Sequence, residues 1–347
     1  MRHKAKLILK TVTLLSLGSS LFLIAALQAC QTSHGSRRLI LAGYTAPREA
    51  YGKGIIPAFE DYWRQKTGQS IEVLESYQAS GAQSRAIVGG FEADVAALSL
   101  EGDIDRIAAA GLITHDWKAK KNRGIVCTSI VVIAVRKGNP LGIRDWSDLT
   151  KPGLNVLTPD PRTSGGAQWN INAIYGAALR GYAGVAKGDQ DAAQGLLTDI
   201  FRNVSIMDKG GRESITNFEA GTGNAAITYE NEVVVARQAG QTYDYVVPRS
   251  TILIENPAAV IDKNIDKHGC RDVAEAFVDF LSSHEAQAAF AKYGLRPTDK
   301  SVAEESKSQF PKVEDLWTIE FLGGWKQVAQ SIFGPQGAYT KATEQGK

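Results

Sequence analysis

The chain has 347 residues, of which 44% are hydrophobic and 22% are charged, so it can bury a sizeable core and is long enough for two compact lobes. Its formal net charge is +2, and the basic residues form no patch or tail after the N-terminal segment. This charge balance argues against a nucleic-acid partner.

The N-terminal segment differs in composition from the rest of the chain. Basic residues lead into a long apolar run that ends just before Cys30, which is typical of a signal peptide over residues 1–29. Because this leader holds four basic residues and no acidic one, its removal changes the formal net charge from +2 to −2. The residues before Cys30 also resemble a bacterial lipoprotein cleavage site, although Gln28 stands where a small or β-branched residue is usual. We predict that residues 30–38 consist of a lipidated Cys30 and a short tether; secretion without a lipid and an uncleaved membrane anchor are the alternatives.

Strand-like and helix-like segments alternate through the mature chain and predict an α/β protein with central sheets. Tyr51, Ile55, Phe59 and Trp63 recur every four residues, which gives the first helix an apolar stripe. The apolar and β-branched run at 125–135 predicts a buried strand.

Turn signals and composition describe the remaining connections. The proline-bearing tripeptides at 138–140 and 255–257 predict turns beside two long strands. The polar segment 334–347 at the end of the chain is expected to lie on the surface.

Few side chains indicate catalysis or metal binding. The sequence has no GxSxG elbow, no P-loop and no HExxH motif. We interpret His268 and Cys270 as part of a loop rather than half of a zinc site, and Glu230 and Glu232 as solvated or hinge-bracing rather than acid–base groups. Cys127 lies in the apolar strand, so a buried thiol is expected there, with a disulfide to Cys270 as the alternative.

Several strand-to-helix turns are rich in small and hydroxyl residues. The clearest is 163–166, with the sequence Thr-Ser-Gly-Gly, ahead of a predicted helix at 167–179. Glycines let backbone N–H groups approach a ligand, a serine hydroxyl adds a donor, and a helix N-terminus carries roughly half a positive charge. Similar turns lie at 45–49, 76–81 and 209–213. We predict that these helix N-termini converge on one anion.

Further short motifs occur in order along the chain. They are Tyr44…Pro47-Arg48-Glu49, Thr67-Gly68-Gln69, Ser80-Gly81, Glu92-Ala93-Asp94, Arg136-Lys137-Gly138-Asn139-Pro140, Asp145-Trp146-Ser147-Asp148-Leu149, Ser164-Gly165-Gly166-Ala167…Trp169-Asn170, Glu230-Asn231-Glu232, Arg296-Pro297 and Gly323-Gly324-Trp325. In these motifs the chain resembles the periplasmic sulfate-binding proteins of bacterial ABC importers, from about residue 40 to residue 325.

The resemblance implies a two-lobed periplasmic-binding-protein fold of type II, in which each lobe is a mixed sheet flanked by helices. Lobe one would combine 39–130 with 249–333, and lobe two would be 131–248. Crossover hinge strands near 125–135 and 246–254 would join them. The implied protein is a periplasmic monomer without cofactor or enzymatic activity, which delivers sulfate or thiosulfate to the permease subunits of an importer.

The ligand shell implied by the resemblance consists of neutral hydrogen-bond donors. These are the backbone N–H groups of Thr45, Ser80, Gly165, Gly166 and Gly211, the hydroxyl of Ser164 and the phenol of Tyr229. Sulfate carries no proton at neutral pH, so each of its oxygens accepts and a shell of donors suits it.

Some residues near the implied site depart from those usual in the family. They are Glu75, Gln78, Glu101 and Gln168. We expect the acidic ones to lie at the periphery, because the donors persist. Molybdate or phosphate is the alternative ligand, and a periplasmic hydrolase of sulfate or phosphate esters is the alternative from another class of protein.

Overall fold

The computed structural model describes residues 37–345. The predicted signal peptide over 1–29 and the predicted lipidation of Cys30 lie outside these residues. Within the described part of the chain, no helix combines the length and the apolar character that a membrane span requires.

The described residues form one sheet of 11 strands. In chain order they are β1 (Arg37–Tyr44), β2 (Ile71–Gln78), β3 (Val95–Ala97), β4 (Ile125–Val135), β5 (Val156–Pro159), β6 (Val204–Asp208), β7 (Ala225–Tyr229), β8 (Asp244–Val246), β9 (Ser250–Val260), β10 (Arg296–Pro297) and β11 (Asp315–Trp317). Their order across the sheet is β2-β1-β3-β9-β4-β7-β5-β6, with β8 and β10 added to β4 and β11 added to β9. The sheet is mixed: β1 and β3 are parallel, as are β7, β5 and β6, whereas β9 and β4 run antiparallel to their neighbours in this order.

Helices flank the sheet. They are α1 (Ile56–Thr67), α2 (Ser80–Val88), α3 (Glu101–Ala109), α4 (Gly165–Leu179), α5 (Gln190–Arg202), α6 (Gly211–Glu219), α7 (Glu230–Gln238), α8 (Asp262–His268), α9 (Arg271–Phe280), α10 (His284–Lys292), α11 (Lys300–Glu305), α12 (Gly324–Ser331) and α13 (Ala338–Gln345). A short helical turn (Arg48–Ala50) and a π-helical turn (Tyr51–Ile55) precede α1.

The two central strands, β4 and β9, are each 11 residues long. β4 has the predicted bounds, and its residues up to Ile130 pair with β9, whereas those from Val131 onward pair with β7 and β8. β9 begins at Ser250, beyond the proline that interrupts the predicted strand at 246–254. β4 therefore changes partners along its length, and β9 pairs with β11 at its start and with β3 at its end.

The prediction of a turn at 255–257 is wrong. These residues lie inside β9, where the Pro257 carbonyl accepts a hydrogen bond of 3.0 Å from the Leu98 N–H and the facing strand β4 has a register shift. Proline lacks only the donor N–H, so a strand accommodates it beside such an irregularity. The predicted turn at 138–140 is confirmed, since Asn139 has a left-handed φ of 48°.

The predicted apolar stripe of the first helix is confirmed. Tyr51, Ile55, Phe59 and Trp63 are each at most 5% exposed, and the Phe59 ring centroid lies 5.0 Å from that of Phe277 in α9. Stripe residues in the π-helical turn and in α1 pack against the same core. This burial holds the residues that follow β1 in a fixed position.

The C-terminal segment packs on α4 and α5. The Trp317 ring covers Gly176 so closely that a Cβ there would lie 2.0 Å from it. Residues 334–347 were expected on the surface for their polarity; within them, α13 buries Ala338 and Ala342, which lie four residues apart and so share one face of the helix.

Cys127 and Cys270 are both buried, and no disulfide joins them. The buried thiol expected at Cys127 is confirmed, and the alternative disulfide is not formed. Burial raises the pKa of the Cys127 thiol well above its ordinary value, which makes it unreactive.

Candidate functional site

A partly enclosed cavity lies where the carboxyl ends of strands meet the N-termini of helices. Its wall is formed by Tyr44, Thr45, Ala46, Ala79, Ser80, Pro159, Ser164, Gly166, Asn170, Gly211, Ile227, Thr228, Tyr229 and Glu232. Each of the predicted small-residue turns contributes to this wall. Among the described residues that form it there is no lysine, arginine or histidine.

Helix N-termini surround the cavity. α2 begins at Ser80, α4 at Gly165, α6 at Gly211 and α7 directly after Tyr229. The first N–H groups of a helix have no partner within it, and the aligned peptide dipoles make this end positive. The cavity therefore offers a positive potential and N–H donors without a formal cation. The predicted turns lie at this one cavity, and their binding of a common anion stays a prediction.

The Ser80 hydroxyl is already engaged within the protein. Its Oγ donates to Asp103 Oδ2 at 2.5 Å and accepts from the Ser99 N–H at 2.9 Å, and the side chain is buried. The backbone N–H, which is the first of α2, is thus the group that Ser80 offers to a ligand. Thr45 enters the wall directly after β1, and its carbonyl accepts from the Arg48 N–H.

Ser164 caps α4. Its N–H donates to the Asp160 carbonyl at 2.8 Å, and its Oγ accepts from the Ala167 N–H at 3.3 Å. A hydroxyl has one proton to donate besides the electron pairs with which it accepts. The oxygen of the buried Ser164 hydroxyl therefore caps the helix, and its proton is available for a hydrogen bond to a ligand in the cavity.

The predicted glycines have different surroundings. A Cβ on Gly165 would lie 2.7 Å from Leu100 Cγ, so the start of α4 packs closely against Leu100 at this residue. Gly165 itself is not part of the cavity wall. Gly166 lines the cavity, and a Cβ there would lie 3.4 Å from the Tyr229 ring. A Cβ on Gly211 would meet nothing within 4 Å, so the cavity wall has room for a larger side chain there.

Tyr229 lines the cavity as predicted, but its phenol has a partner. Its OH lies 2.7 Å from Ser99 Oγ, and either oxygen is able to donate. When Ser99 is the donor, the phenol proton is available to another acceptor. The Ser99 carbonyl also accepts from Trp169 Nε1 at 2.9 Å and from Asn256 Nδ2 at 3.3 Å.

Four polar residues of the wall were missed by sequence reasoning. They are Tyr44, Asn170, Thr228 and Glu232. The Tyr44 OH, the Asn170 Oδ1 and both Glu232 carboxylate oxygens are buried without a hydrogen-bond partner among the described residues. Burial raises the pKa of Tyr44 well above its ordinary value, so its phenol is a neutral donor. Adjacency of Tyr44 to Thr45 was the signal available in the sequence.

Glu232 is the acidic group of the cavity wall. Burial raises its pKa to about 7, the carboxylates of Glu49 and Glu219 act in the same direction, and Arg212 opposes them. Arg212 Nε lies 3.0 Å from Glu232 Oε2, but the pair lacks the alignment of a hydrogen bond. The positive charge of Arg212 thus partly neutralises the carboxylate of Glu232, which lines the cavity.

The residues that depart from the family pattern lie outside the cavity wall. Glu75 accepts from the Tyr77 OH at 2.6 Å, and Glu101 pairs with Lys118 and Arg123. Gln168 donates to a backbone carbonyl at 3.1 Å. The expectation that the acidic residues are peripheral is confirmed.

Among the described residues, one group of metal-ligand side chains lies away from the cavity. Single ligand atoms of Asp94, His268 and Cys270 lie within 4.8 Å of one another. Asp94 Oδ2 accepts from the Ile40 N–H at 2.7 Å, and Asp94 Oδ1 lies 2.7 Å from His268 Nδ1. These bonds engage both oxygens of the carboxylate within the protein. The loop expected for His268 and Cys270 is wrong, because His268 is the last residue of α8 and Cys270 directly precedes α9.

The contact of His268 with Asp94 predicts a dependence of stability on pH. Hydrogen bonding to Asp94 raises the pKa of His268, partial burial opposes this, and Glu92 adds to it. A raised folded-state pKa gives stability that is present below the ordinary histidine value and is lost as pH rises through the raised value. We expect the difference in unfolding free energy between the wild type and His268→Gln to shrink from about pH 6 to about pH 9. Urea unfolding at both pH values measures it, and a constant difference contradicts the prediction.

Comparison with known proteins agrees with this geometry. The model of a family described as bacterial extracellular solute-binding protein matches residues 44–296. A sulfate-binding protein of Synechococcus elongatus is 43% identical over 306 residues, which cover 88% of this chain and 86% of the relative. A thiosulfate-binding protein of Pseudomonas aeruginosa is 33% identical, with 92% of this chain and 96% of the relative covered.

Solved structures show the same fold. The sulfate-binding protein SubI from Mycobacterium tuberculosis has a TM-score of 0.78 at 36% identity, with 86% of this chain and 99% of SubI covered. The binding protein MotA from A. tumefaciens, solved with glucopine, shares the fold alone, with a TM-score of 0.64 at 17% identity and with 88% of this chain and 99% of MotA covered. The chain therefore belongs to the bacterial extracellular solute-binding proteins, which bind a solute outside the cytoplasm for an ABC importer and are not enzymes.

Proposed function

We propose that this protein captures sulfate, or thiosulfate, and delivers it to an ABC importer. The observation that carries the proposal is the partly enclosed cavity at which helix N-termini meet, without a lysine, arginine or histidine among the described residues of its wall. The proposed ligands are the N–H groups of Thr45, Ser80, Gly165, Gly166 and Gly211 together with the hydroxyls of Ser164 and Tyr229. The names of the relatives support this choice of anion.

Such a shell of hydrogen-bond donors is strong enough for micromolar binding of an anion. A hydrogen bond to a charged group contributes about 1.5–3 kcal/mol net. A micromolar complex needs only about 8 kcal/mol. Neutral donors at helix N-termini are therefore sufficient without a salt bridge, even after part of this energy offsets the removal of water from the anion.

We propose further that the two lobes assigned from the sequence, 39–130 with 249–333 and 131–248, close on the anion. Contacts that join the two sides of the cavity support this. The Ala82 N–H donates to the Thr163 carbonyl at 3.3 Å, and Asn231 Nδ2 donates to the Ala46 carbonyl at 2.9 Å. Donors from both sides meet on one ligand only when the cavity is closed, so the ligand favours this form.

Calorimetric titration tests the proposed ligand. The mature chain is unfolded and refolded to remove bound anions and is then titrated with sulfate, thiosulfate, molybdate and phosphate. We expect a micromolar or lower Kd for sulfate or thiosulfate. A refolded chain that binds neither anion contradicts the proposal.

Glu232 favours phosphate as a second candidate. A buried carboxylate without a hydrogen-bond donor is able to accept the proton of a phosphate ion, which sulfate lacks. In the same titrations, phosphate that binds more tightly than sulfate would support this candidate. Replacement Glu232→Gln would then weaken phosphate more than sulfate.

We also propose that Cys30 carries a lipid that anchors the protein to a membrane, and that the monomer docks on permease subunits. Fractionation of cells tests the anchor. The wild type is expected in the membrane fraction and the Cys30→Ala variant outside it.

A further inference from the structure

Side chains with nitrogen, sulfur and oxygen donors meet at the corner between α8 and α9. His268 ends α8 and Cys270 directly precedes α9, and Gly269 between them has a left-handed φ of 65° that permits the sharp turn. Asp94, directly before β3, completes the group, since single ligand atoms of these three side chains lie within 4.8 Å of one another. Asp94 and His268 are 174 residues apart in the sequence, so the sequence alone does not show the third ligand.

Hydrogen bonds hold this group in place. Asp94 is 1% exposed; its Oδ2 accepts from the Ile40 N–H at 2.7 Å, and its Oδ1 lies 2.7 Å from His268 Nδ1. Cys270 is 3% exposed, and its N–H donates to the Ile265 carbonyl at 3.0 Å. The His268 side chain is 25% exposed, so an ion from solvent reaches the group along the imidazole.

The second ring nitrogen of His268 also faces a carboxylate. Its Nε2 lies 3.3 Å from Glu92 Oε2, and Glu92 is held by an ion pair with Lys267. A histidine that binds a metal through one nitrogen donates the N–H of the other nitrogen to a carboxylate or a carbonyl, which fixes the ring and strengthens the ligand. Glu92 lies where this acceptor is needed when Nδ1 is the ligand.

We propose that Asp94 Oδ1, His268 Nδ1 and Cys270 Sγ bind one zinc ion. Imidazole, thiolate and carboxylate are the ligands of zinc in proteins, and three of them leave the fourth tetrahedral position to water. The sulfur argues against magnesium and calcium, which take oxygen ligands. On binding, Sγ and Nδ1 release their protons to solvent, and the Nε2 N–H donates to Glu92.

The required movement is small. Ligand atoms of a tetrahedral zinc ion lie about 3.3–3.6 Å apart. The contact of 2.7 Å between Asp94 and His268 therefore opens by roughly half an ångström, and Sγ moves inward. The bound ion would join the corner of α8 and α9 to the start of β3 and so stabilise the folded chain.

Cobalt binding tests the inference, because Co²⁺ takes zinc sites and is coloured. The mature chain with Cys30→Ala, in which Cys127 and Cys270 are the only thiols, is reduced, freed of metal by a chelator and titrated with Co²⁺. We expect one Co²⁺ per chain, a thiolate-to-cobalt charge-transfer band, visible bands as intense as those of tetrahedral cobalt, and displacement of the cobalt by Zn²⁺. Absence of the charge-transfer band overturns the proposal.

Variants in the same background locate the ion. Cys270→Ser is expected to abolish the charge-transfer band. Glu92→Ala is expected to weaken Co²⁺ binding by roughly tenfold, as loss of an acceptor behind a histidine ligand does, and Asp94→Asn and His268→Gln by more. Wild-type affinity in both Asp94→Asn and His268→Gln overturns the site.

A second contact between a histidine and an aspartate supplies the matched control. His115 Nδ1 lies 2.7 Å from Asp262 Oδ2, and among the described residues this pair belongs to no group of three metal-ligand side chains. His115→Gln is expected to bind Co²⁺ as the wild type does; a loss equal to that of His268→Gln contradicts the assignment.

The remaining cysteine decides the matter if Cys270→Ser does not fold. Circular dichroism of the metal-free variants checks folding. Cys127→Ala in the same background leaves Cys270 as the only thiol, so retention of the charge-transfer band assigns the thiolate to Cys270. Loss of the band in this folded variant overturns the proposal.

Discussion

Replacement of Ser164 by alanine is expected to weaken sulfate binding by tenfold or more. The Ser164 oxygen accepts from the Ala167 N–H, so its proton is directed elsewhere, and the side chain is buried at the cavity wall. Loss of a hydrogen bond to a charged ligand costs about 1.5–3 kcal/mol, which corresponds to roughly a 10- to 150-fold change in Kd. Calorimetry with sulfate measures this change. An unchanged Kd would refute the role of the hydroxyl.

The cap that Ser164 provides requires a control, because its loss also destabilises α4 by about 1 kcal/mol. Ser283 caps α10 in the same way, since its Oγ accepts from the Ala286 N–H at 3.2 Å, and it lies outside the cavity. Ser283→Ala is expected to lower the unfolding free energy by a similar amount and to leave the Kd for sulfate unchanged. Equal losses of affinity in both variants would mean that helix stability, and not the hydroxyl, sets binding.

Replacement of Gly165 by alanine is expected to reduce both stability and sulfate affinity. The new Cβ would lie 2.7 Å from Leu100 Cγ and 3.0 Å from Ser99 Oγ, closer than packed atoms tolerate. Overpacking of this kind costs about 1–3 kcal/mol, and here the displaced Ser99 is also the partner of Tyr229. We expect a fall in affinity of roughly tenfold, since the first N–H groups of α4 move with the backbone. Urea unfolding and calorimetry measure the two effects.

Gly195 offers the matched substitution for Gly165. It is an exposed residue within α5, and a Cβ there would meet nothing within 4 Å. Gly195→Ala is expected to stabilise the protein by about 0.5–1 kcal/mol, because alanine loses less conformational freedom in a helix. Its Kd for sulfate is expected to equal that of the wild type. If Gly165→Ala also kept the wild-type Kd and gained stability, the Leu100 side chain would have moved aside without a loss of free energy.

Local sequence patterns predicted the elements of this fold well. The β-branched run of β4, the stripe from Tyr51 to Trp63 and the turns at Ser164 and Gly211 depend on neighbours in the chain, so periodicity and turn chemistry describe them. The turn predicted at 255–257 failed because tertiary pairing in β9 outweighed the local preference of proline.

The details of the candidate site depend on residues far apart in the sequence. The contact of Tyr229 with Ser99 joins positions 130 residues apart, and Asn231 reaches the Ala46 carbonyl across 185 residues. The periodicity of hydrophobic residues along the sequence does not reveal contacts between residues so far apart. For the same reason, only the folded chain shows that Glu232 lies in the cavity wall and that Arg212 forms an ion pair with Glu49.

The bonds of Ser99 have a consequence for how this cavity can diverge. Ser99 is fully buried, and its N–H, hydroxyl and carbonyl together bind Ser80, Tyr229, Trp169 and Asn256. A substitution there disturbs groups on several walls at once, whereas a change at Gly211 affects one turn. Proteins that evolve from this one are therefore expected to acquire new anion preferences through substitutions in turns such as that of Gly211. Few substitutions of Ser99 are expected to be tolerated.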